Sequence, residues 1–240
     1  MGLLYLFRNM PPAVKNIFFI NLLFFLGAWV SMDVFHYNLT YVTGMKYFGS
    51  VLFKPYQIFT HMFMHGSFSH ILFNMFGLLM FGSMIERYIG TKRFLILYLL
   101  SGLGAAFLEQ SYWAYRVYEC VGEVIPEKAL QNMALSGLQL NNVCQSFVNW
   151  IATPMVGASG AIYGLLVAYG MFFPNSELMF IFIPYPIKAK YMIPGIILLD
   201  LFLGLSSFNW DNVAHFAHLG GALTGFVLIK IWNRNRTRLY

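Results

Sequence analysis

Six long apolar stretches divide this chain, and they constrain its fold more than any other feature of the sequence. Each approaches the ~20 residues that a helix needs to cross the hydrocarbon core of a bilayer. The stretches run approximately over 15–33, 68–86, 94–112, 154–173, 192–208 and 213–232. Because a helix satisfies its own backbone hydrogen bonds, such stretches form helices in lipid. The pattern predicts an all-α membrane protein, a bundle of six transmembrane helices.

The composition supports a membrane location and excludes several other classes of protein. Charged residues make up only 10% of the 240 residues, and hydrophobic residues make up 59%. A typical soluble domain is ~25% charged, and a soluble fold of this size has too little interior to bury so much apolar surface. We therefore exclude a soluble enzyme, a disordered chain and a nucleic-acid-binding protein. We expect the lipid bilayer to surround the protein.

The basic residues predict the orientation of the chain. Six crossings place both termini on the same side, and four groups on that side hold eleven of the fifteen Lys and Arg residues. The groups are Arg8 and Lys15; Arg87, Lys92 and Arg93; Lys188 and Lys190; and Lys230, Arg234, Arg236 and Arg238. By the positive-inside rule this side is cytoplasmic. We expect a multi-pass protein of a bacterial cytoplasmic (inner) membrane, with both termini cytoplasmic.

The segments between the stretches predict one membrane domain over residues 1–240 with two long outer loops. These loops cover approximately 34–67 and 113–153. Cys120 and Cys144 both lie in the second loop, on the side where disulfides persist. A disulfide that closes this loop and a pair of free thiols are both consistent with the sequence.

Polar residues recur in three of the predicted spans, where each unpaired polar group costs free energy. Span two carries His70 and Asn74 near its start, span four carries Ser159, and span six carries His218. These three spans all run from the outer side inward. Their polar residues therefore share one layer in the outer third of the membrane.

Small residues predict which spans are in contact. A Gly-x-x-x-Gly pattern begins at Gly160 in span four and another at Gly221 in span six, and such patterns allow close helix packing in lipid. If these faces meet, Ser159 lies within reach of His218, and a histidine can activate a serine hydroxyl as a nucleophile. The one acidic residue near these motifs, Asp211, is expected at the membrane surface. We therefore expect a Ser–His dyad without an acidic third member.

Each of these residues also has a structural interpretation. Ser159 alone is most often a packing serine, and His218 alone is often a structural histidine. Other catalytic motifs do not fit: Ala161 occupies the second glycine position of a hydrolase elbow, and the sequence has no His-Glu-x-x-His zinc motif. We expect no metal and no other cofactor. The shared depth of the polar residues favours catalysis.

Four motifs occur in order along the chain: His65-Gly66 with His70 and Asn74, Gly82-x-x-x-Glu86-x-x-x-Gly90, Gly157-Ala158-Ser159-Gly160, and Ala217-His218 followed by Gly221 and Gly225. This ordered set resembles the rhomboid family of intramembrane serine proteases. The resemblance covers approximately residues 55–100 and 154–230, and the family's six-helix core agrees with the predicted spans.

The resemblance implies a role for each residue of the site. Ser159 would be the nucleophile, and His218 would be the general base and then the acid toward the leaving amine. The side chains of His70 and Asn74, with the backbone N–H of Ser159, would form the oxyanion hole.

Supporting roles are also implied by the resemblance. Gly157 would support the serine, and Tyr163 would pack against the His218 imidazole, although filling a helix contact is an equally good account of this tyrosine. Glu86 and Arg87 would fix spans two and three at their cytoplasmic end. His215, one turn before His218, ranks second as the general base.

The sequence departs from the family pattern at one position of the first outer loop. Tyr56-Gln57 stands where many relatives carry a Trp-Arg pair. This departure concerns the contacts of the loop more than the chemistry.

The resemblance implies an endopeptidase that cleaves transmembrane-helix protein substrates near the outer face of the membrane. Substrates would enter sideways, past span five and the 206–213 loop. The alternative is a catalytically silent rhomboid-like protein that binds membrane helices. A transporter is disfavoured because the polar residues lie in the outer third rather than at the midplane.

Overall fold

The computed structural model describes residues 9–122, 124, 153–180, 183–206 and 213–236, and most of these residues are helical. The helices are α1 (Pro12–Phe35), α2 (Leu39–Thr43), α3 (Gln57–Thr60), α4 (Phe68–Gly77), α5 (Ser83–Ile89), α6 (Thr91–Val121), α7 (Ser159–Phe172), α8 (Ala189–Ser206) and α9 (His215–Arg236). A 3₁₀ turn (His61–Phe63) follows α3, and a π-helical turn (Leu78–Gly82) joins α4 to α5. Two strands, β1 (Glu177–Phe180) and β2 (Ile183–Lys188), lie between α7 and α8.

Within the part of the chain that the structure describes, four helical segments are long and apolar enough to cross a membrane. They are Pro12–Phe35, Phe68–Ile89, Thr91–Cys120 and Ala189–Ser206. Helix α7 is apolar but has only 14 residues, and the basic residues near the end of α9 lower its hydropathy. The predicted helical membrane protein is therefore confirmed. The six crossings and the side of the termini stay predictions.

Helix α6 is longer than the sequence predicts. It continues through Val121, so residues 113–121 are helical rather than part of the second outer loop. It ends at Gly122, whose positive φ of 73° is the left-handed conformation that commonly terminates helices. Cys120, in the last turn, takes part in a disulfide. Cys144 and the rest of the predicted loop up to residue 152 lie outside the described residues.

A short antiparallel hairpin between α7 and α8 is absent from the prediction. Glu177 pairs with Lys188, and Leu178 pairs with Ile187. A two-stranded sheet has only edge strands, which accommodate a proline such as Pro186. The apolar segment is too short for the pattern to separate a strand from a loop.

Helices α6, α7 and α9 pack closely through small residues. A Cβ atom placed on Gly221 of α9 would lie 2.6 Å from the carbonyl carbon of Gly160 in α7. One turn later, a Cβ atom on Gly225 would lie 2.7 Å from the Cα atom of Gly164. The two glycine faces predicted to meet are therefore in backbone contact, as small residues permit in lipid.

A buried carboxylate joins three helices at the end of the bundle remote from Ser159. Glu86 of α5 accepts hydrogen bonds from the N–H groups of Ala13 (2.9 Å) and Val14 (2.8 Å) at the start of α1. The Thr91 hydroxyl at the start of α6 donates to the same carboxylate at 2.7 Å. Arg87 donates to a backbone carbonyl just before α1 at 2.6 Å. Glu86 thus satisfies N–H groups that a helix start leaves without intrahelical partners.

The first predicted outer loop is organised by the buried amide of Gln57. Its Oε1 atom accepts from the N–H groups of Lys46 (3.3 Å) and Lys54 (3.1 Å). Its Nε2 atom donates to the carbonyls of Val42 (2.9 Å) and Leu52 (3.3 Å). A neutral amide therefore joins both arms of the loop at the position where the sequence departs from the family pattern.

Candidate active site

Ser159 is the first residue of α7. We expected it about one turn inside a helix that starts near residue 154, and this prediction is wrong. The preceding Gly157 has a φ of +127°, which disfavours a helix, and Met155 instead forms an isolated bridge with Met45. Because the first four N–H groups of a helix have no partner within it, the N–H of Ser159 is one of these groups.

His218 is the fourth residue of α9, and its ring faces Ser159. The His218 Nε2 atom lies 2.8 Å from the Ser159 Oγ atom, which is a normal hydrogen-bond length. The ring also stacks on Tyr163, with 4.3 Å between centroids and 10° between planes. Glu109 of α6 secures this turn, since its Oε2 atom accepts the N–H of Ala217 at 2.9 Å.

Gly157 provides the space in which the side chains of His70 and Ser159 approach each other. A Cβ atom at Gly157 would lie 2.7 Å from His70 Nε2 and 3.7 Å from Ser159 Oγ. The Nδ1 atom of His70 accepts the Gly66 N–H at 3.4 Å, so the proton of the neutral ring belongs on Nε2. His70 therefore presents an N–H group to the space beside Ser159.

Asn74 lies one turn after His70 on α4, and it is buried. Its side-chain nitrogen donates to the backbone carbonyl of His70 at 2.9 Å, which uses one of its two N–H bonds. His65 packs edge-on against His70, with 5.1 Å between ring centroids. Burial, and then the neighbouring His70, lower the pKa of His65 to about 3. His65 thus stays neutral and adds no positive charge beside His70.

A carboxylate that the sequence analysis missed reaches the histidines from α8. Asp200 is 6% exposed, and its Oδ1 atom lies 3.3 Å from His218 Nδ1 and 2.5 Å from His215 Nδ1. The expectation of a Ser–His pair with no carboxylate beside it is therefore wrong, because the Asp200 carboxylate lies next to the His218 ring. Asp200 lies 18 residues before His218 in the sequence, and Asp211, the acidic residue near the motifs, lies outside the described residues. An aspartate within a predicted span was itself a signal of function.

The same three side chains are the ones that could hold a metal ion. Among the described residues, the ligand atoms of Asp200, His215 and His218 lie within 4.8 Å of one another. A carboxylate hydrogen-bonded between two imidazoles accounts for this arrangement. We assign no metal to it.

Comparison with known families identifies the domain. Residues 52–235 match the rhomboid domain, which is more than half of the chain. The chain belongs to the rhomboid family. The rhomboid domain includes all the residues of the site described above, from His65 to His218.

Three rhomboid relatives illustrate the similarity. RHOMBOID-like protein 6, mitochondrial, of Arabidopsis thaliana is 27% identical over 175 residues, which cover 73% of this chain and 43% of that protein. The human Presenilin-associated rhomboid-like protein, mitochondrial, is 29% identical over 223 residues, which cover 81% of this chain and 47% of that protein. Rhomboid protein 1, mitochondrial, of Saccharomyces cerevisiae is 24% identical over 238 residues, which cover 92% of this chain and 56% of that protein.

These relatives correct the expected location. The chain spans about half the length of the curated rhomboid proteins it matches. All three are named as mitochondrial proteins of eukaryotes, so the expectation of a bacterial cytoplasmic membrane is wrong. Charge distribution predicts which side of a membrane a loop occupies, but it carries no information about which membrane that is.

Proposed function

We propose that this rhomboid protein is an intramembrane serine endopeptidase that cleaves transmembrane segments of membrane proteins. The cleavage takes place near the membrane face opposite the basic loops. The observation that carries the proposal is the 2.8 Å contact between Ser159 Oγ and His218 Nε2. A serine and a histidine in this contact have the geometry of a nucleophile with its general base.

The reaction follows from that pair. The Ser159 oxygen attacks the carbonyl carbon of the scissile peptide bond while its proton moves to His218 Nε2. The imidazolium then gives this proton to the leaving nitrogen as the carbon–nitrogen bond breaks, which leaves an acyl-enzyme. A water molecule attacks the ester with His218 again as base, and the acyl-enzyme collapses to release the carboxylic acid and free Ser159.

Three donors surround the place where negative charge develops on the carbonyl oxygen. The N–H of Ser159 lies at the helix start, the Nε2–H of His70 faces the space beside Gly157, and Asn74 retains one side-chain N–H bond. Each well-placed donor of this kind contributes roughly 3 kcal/mol to transition-state stabilisation. We propose that these three groups form the oxyanion hole.

The membrane sets the substrate class. The rhomboid domain contacts the lipid bilayer, so a membrane-embedded helix reaches the site sideways. A helix must unwind locally before its peptide bond reaches Ser159, so we expect substrates with small or helix-weakening residues near the cleaved bond. From the mitochondrial relatives we infer that this membrane is a mitochondrial membrane.

The alternative is a catalytically silent rhomboid-like protein that binds membrane helices. Such a role needs neither the serine nor the histidine. Retention of both residues in hydrogen-bond contact, with an adjacent set of donors, favours the protease.

Labelling with a fluorophosphonate probe tests the proposal, because the probe reacts only with an activated serine. We expect the full-length protein in detergent to be labelled and the Ser159→Ala variant not to be labelled. Ser111→Ala is the matched control, since Ser111 is an exposed serine of α6 that bonds its own helix. Equal labelling of wild type and Ser159→Ala would refute the assignment. A folded wild type that neither reacts nor cleaves a reconstituted transmembrane substrate would establish the silent alternative.

A further inference from the structure

Helix α8 contributes a carboxylate to a site whose other members come from α4, α7 and α9. Asp200 lies in the middle of α8, where an ionised side chain is costly unless it is paired. Its Oδ1 atom lies between the Nδ1 atoms of His215 and His218. The opposite nitrogen of the His218 ring is the one that contacts Ser159. Asp200, His218 and Ser159 therefore form a continuous chain of hydrogen-bonding groups.

We propose that Asp200 is a positioning residue that holds His218 in the tautomer required of a general base. This inference rests on the proposed function. An ionised carboxylate only accepts hydrogen bonds, so its contact with His218 requires a proton on Nδ1. Nε2 is then free of a proton and accepts the hydroxyl proton of Ser159. The carboxylate also stabilises the imidazolium that forms, and it stays ionised throughout.

His215 holds Asp200 in place. Its Nδ1–H donates to the same Oδ1 atom at 2.5 Å, so the oxygen is fixed from the first turn of α9. This gives His215 a role other than the base role that the sequence analysis considered for it. The 3.3 Å distance from Oδ1 to His218 Nδ1 is longer than the contact to His215. A role of Asp200 in positioning His218 must therefore be distinguished from a purely structural role, in which Asp200 joins α8 to α9 through its hydrogen bond with His215 alone.

Other polar groups around His218 do not supply this acceptor. His70 from α4 faces the space beside Gly157, and Tyr163 from α7 lies flat against the ring. Glu109 from α6 accepts a backbone N–H rather than a ring proton of His218. Among the described side chains, Asp200 is thus the hydrogen-bond acceptor at the Nδ1 side of His218.

Nitrogen NMR of the full-length protein, labelled with ¹⁵N-histidine in detergent, reads the tautomer without any need for turnover. The His218 signals are assigned by their loss in His218→Gln. We expect a protonated Nδ1 and an unprotonated Nε2 in the wild type, and a shift toward the Nε2–H form in Asp200→Asn. Glu109→Gln, a matched loss of a buried carboxylate that contacts α9, should leave the tautomer unchanged. A wild-type His218 that carries its proton on Nε2 would overturn the inference, whether or not the protein is a protease.

The labelling rate of Ser159 gives a second, kinetic measure. In Asp200→Asn, the rate of reaction with the fluorophosphonate should fall by a factor on the order of 10² to 10⁴. Asp200→Glu, which retains an acceptor, should recover part of this loss. If Asp200→Asn folds and labels at the wild-type rate while Ser159→Ala fails to label, the proposed function stands and the role of Asp200 is refuted. If Asp200→Asn does not fold, the wild-type tautomer and the rate of Asp200→Glu decide.

Discussion

Replacing Gly221 by alanine tests whether backbone contact between α7 and α9 sets the catalytic distance. The new Cβ atom would lie 2.6 Å from the Gly160 carbonyl carbon, whereas ordinary van der Waals contact begins at 3.4 Å. The carbonyl oxygen of Gly160 lies nearer still, so the helices must move apart by at least about 0.8 Å, the difference between 3.4 and 2.6 Å. Gly160 adjoins Ser159, and Gly221 lies one turn after His218. The same displacement lengthens the 2.8 Å hydrogen bond to at least about 3.6 Å, which is no longer a hydrogen bond.

We expect the labelling rate of Gly221→Ala to fall by at least about 100-fold, the loss that a misplacement of roughly 1 Å causes. The measurement is the rate of fluorophosphonate labelling, alongside thermal unfolding of the detergent-solubilised protein. Gly27→Ala in α1 is the control, because a Cβ atom there meets nothing within 4 Å. Gly225→Ala should destabilise the same interface yet slow labelling less, since it lies a turn farther from His218. A wild-type rate in Gly221→Ala, or equal losses in the two interface variants, would refute the link between this contact and the catalytic distance.

Two further predictions concern stability. Glu86→Ala should lower the free energy of unfolding by about 1–3 kcal/mol, because the substitution leaves N–H groups of α1 unpaired. Thermal unfolding measures this loss, and Glu119→Ala, which removes an exposed carboxylate, is the control. Equal losses of stability in the two variants would contradict the prediction. Burial lowers the pKa of His61 from 6.5 to about 4. The buried neutral ring is therefore fully tolerated above pH 6.5, and the free energy of unfolding falls by about 3 kcal/mol as the pH drops toward 4. His61→Gln should reduce this fall in a pH series of melts, and an unchanged pH dependence would rule out the assignment.

Much of the fold could be predicted because lipid imposes simple rules on sequence. Apolar length predicts helices, and the structure has a continuous helical segment of 14 residues or more in each of the six predicted stretches. The ends of the helices were predicted less accurately. The predicted start of span four near 154 lies before the observed start at Ser159, because Gly157 adopts a positive φ that the apolar pattern does not reveal. The β1–β2 hairpin was missed since its strands are too short to show a period.

Part of the candidate site could be predicted, because the period of a helix defines which nearby residues share a face. Ser159, His218 and the glycines beside them share faces that local spacing defines, so the sequence could bring the serine and histidine together. Asp200 gave no such local signal. It lies 18 residues before His218 on another helix, and only the packing of α8 against α9 places its carboxylate at the ring.

The sequence by itself determined a helical membrane protein, its close-packing glycines and a pair of candidate catalytic residues. Hydrophobic length and short-range periodicity are local properties of the chain, so they can be read without knowing which helices are neighbours. The tertiary structure alone decided that Ser159 opens its helix, that Gln57 organises the first loop and that Asp200 faces His218. The start of α7 and the position of Asp200 depend on contacts between segments far apart in the sequence. The Gln57 hydrogen bonds depend on how one loop closes on itself, which hydrophobic length and short-range periodicity do not reveal.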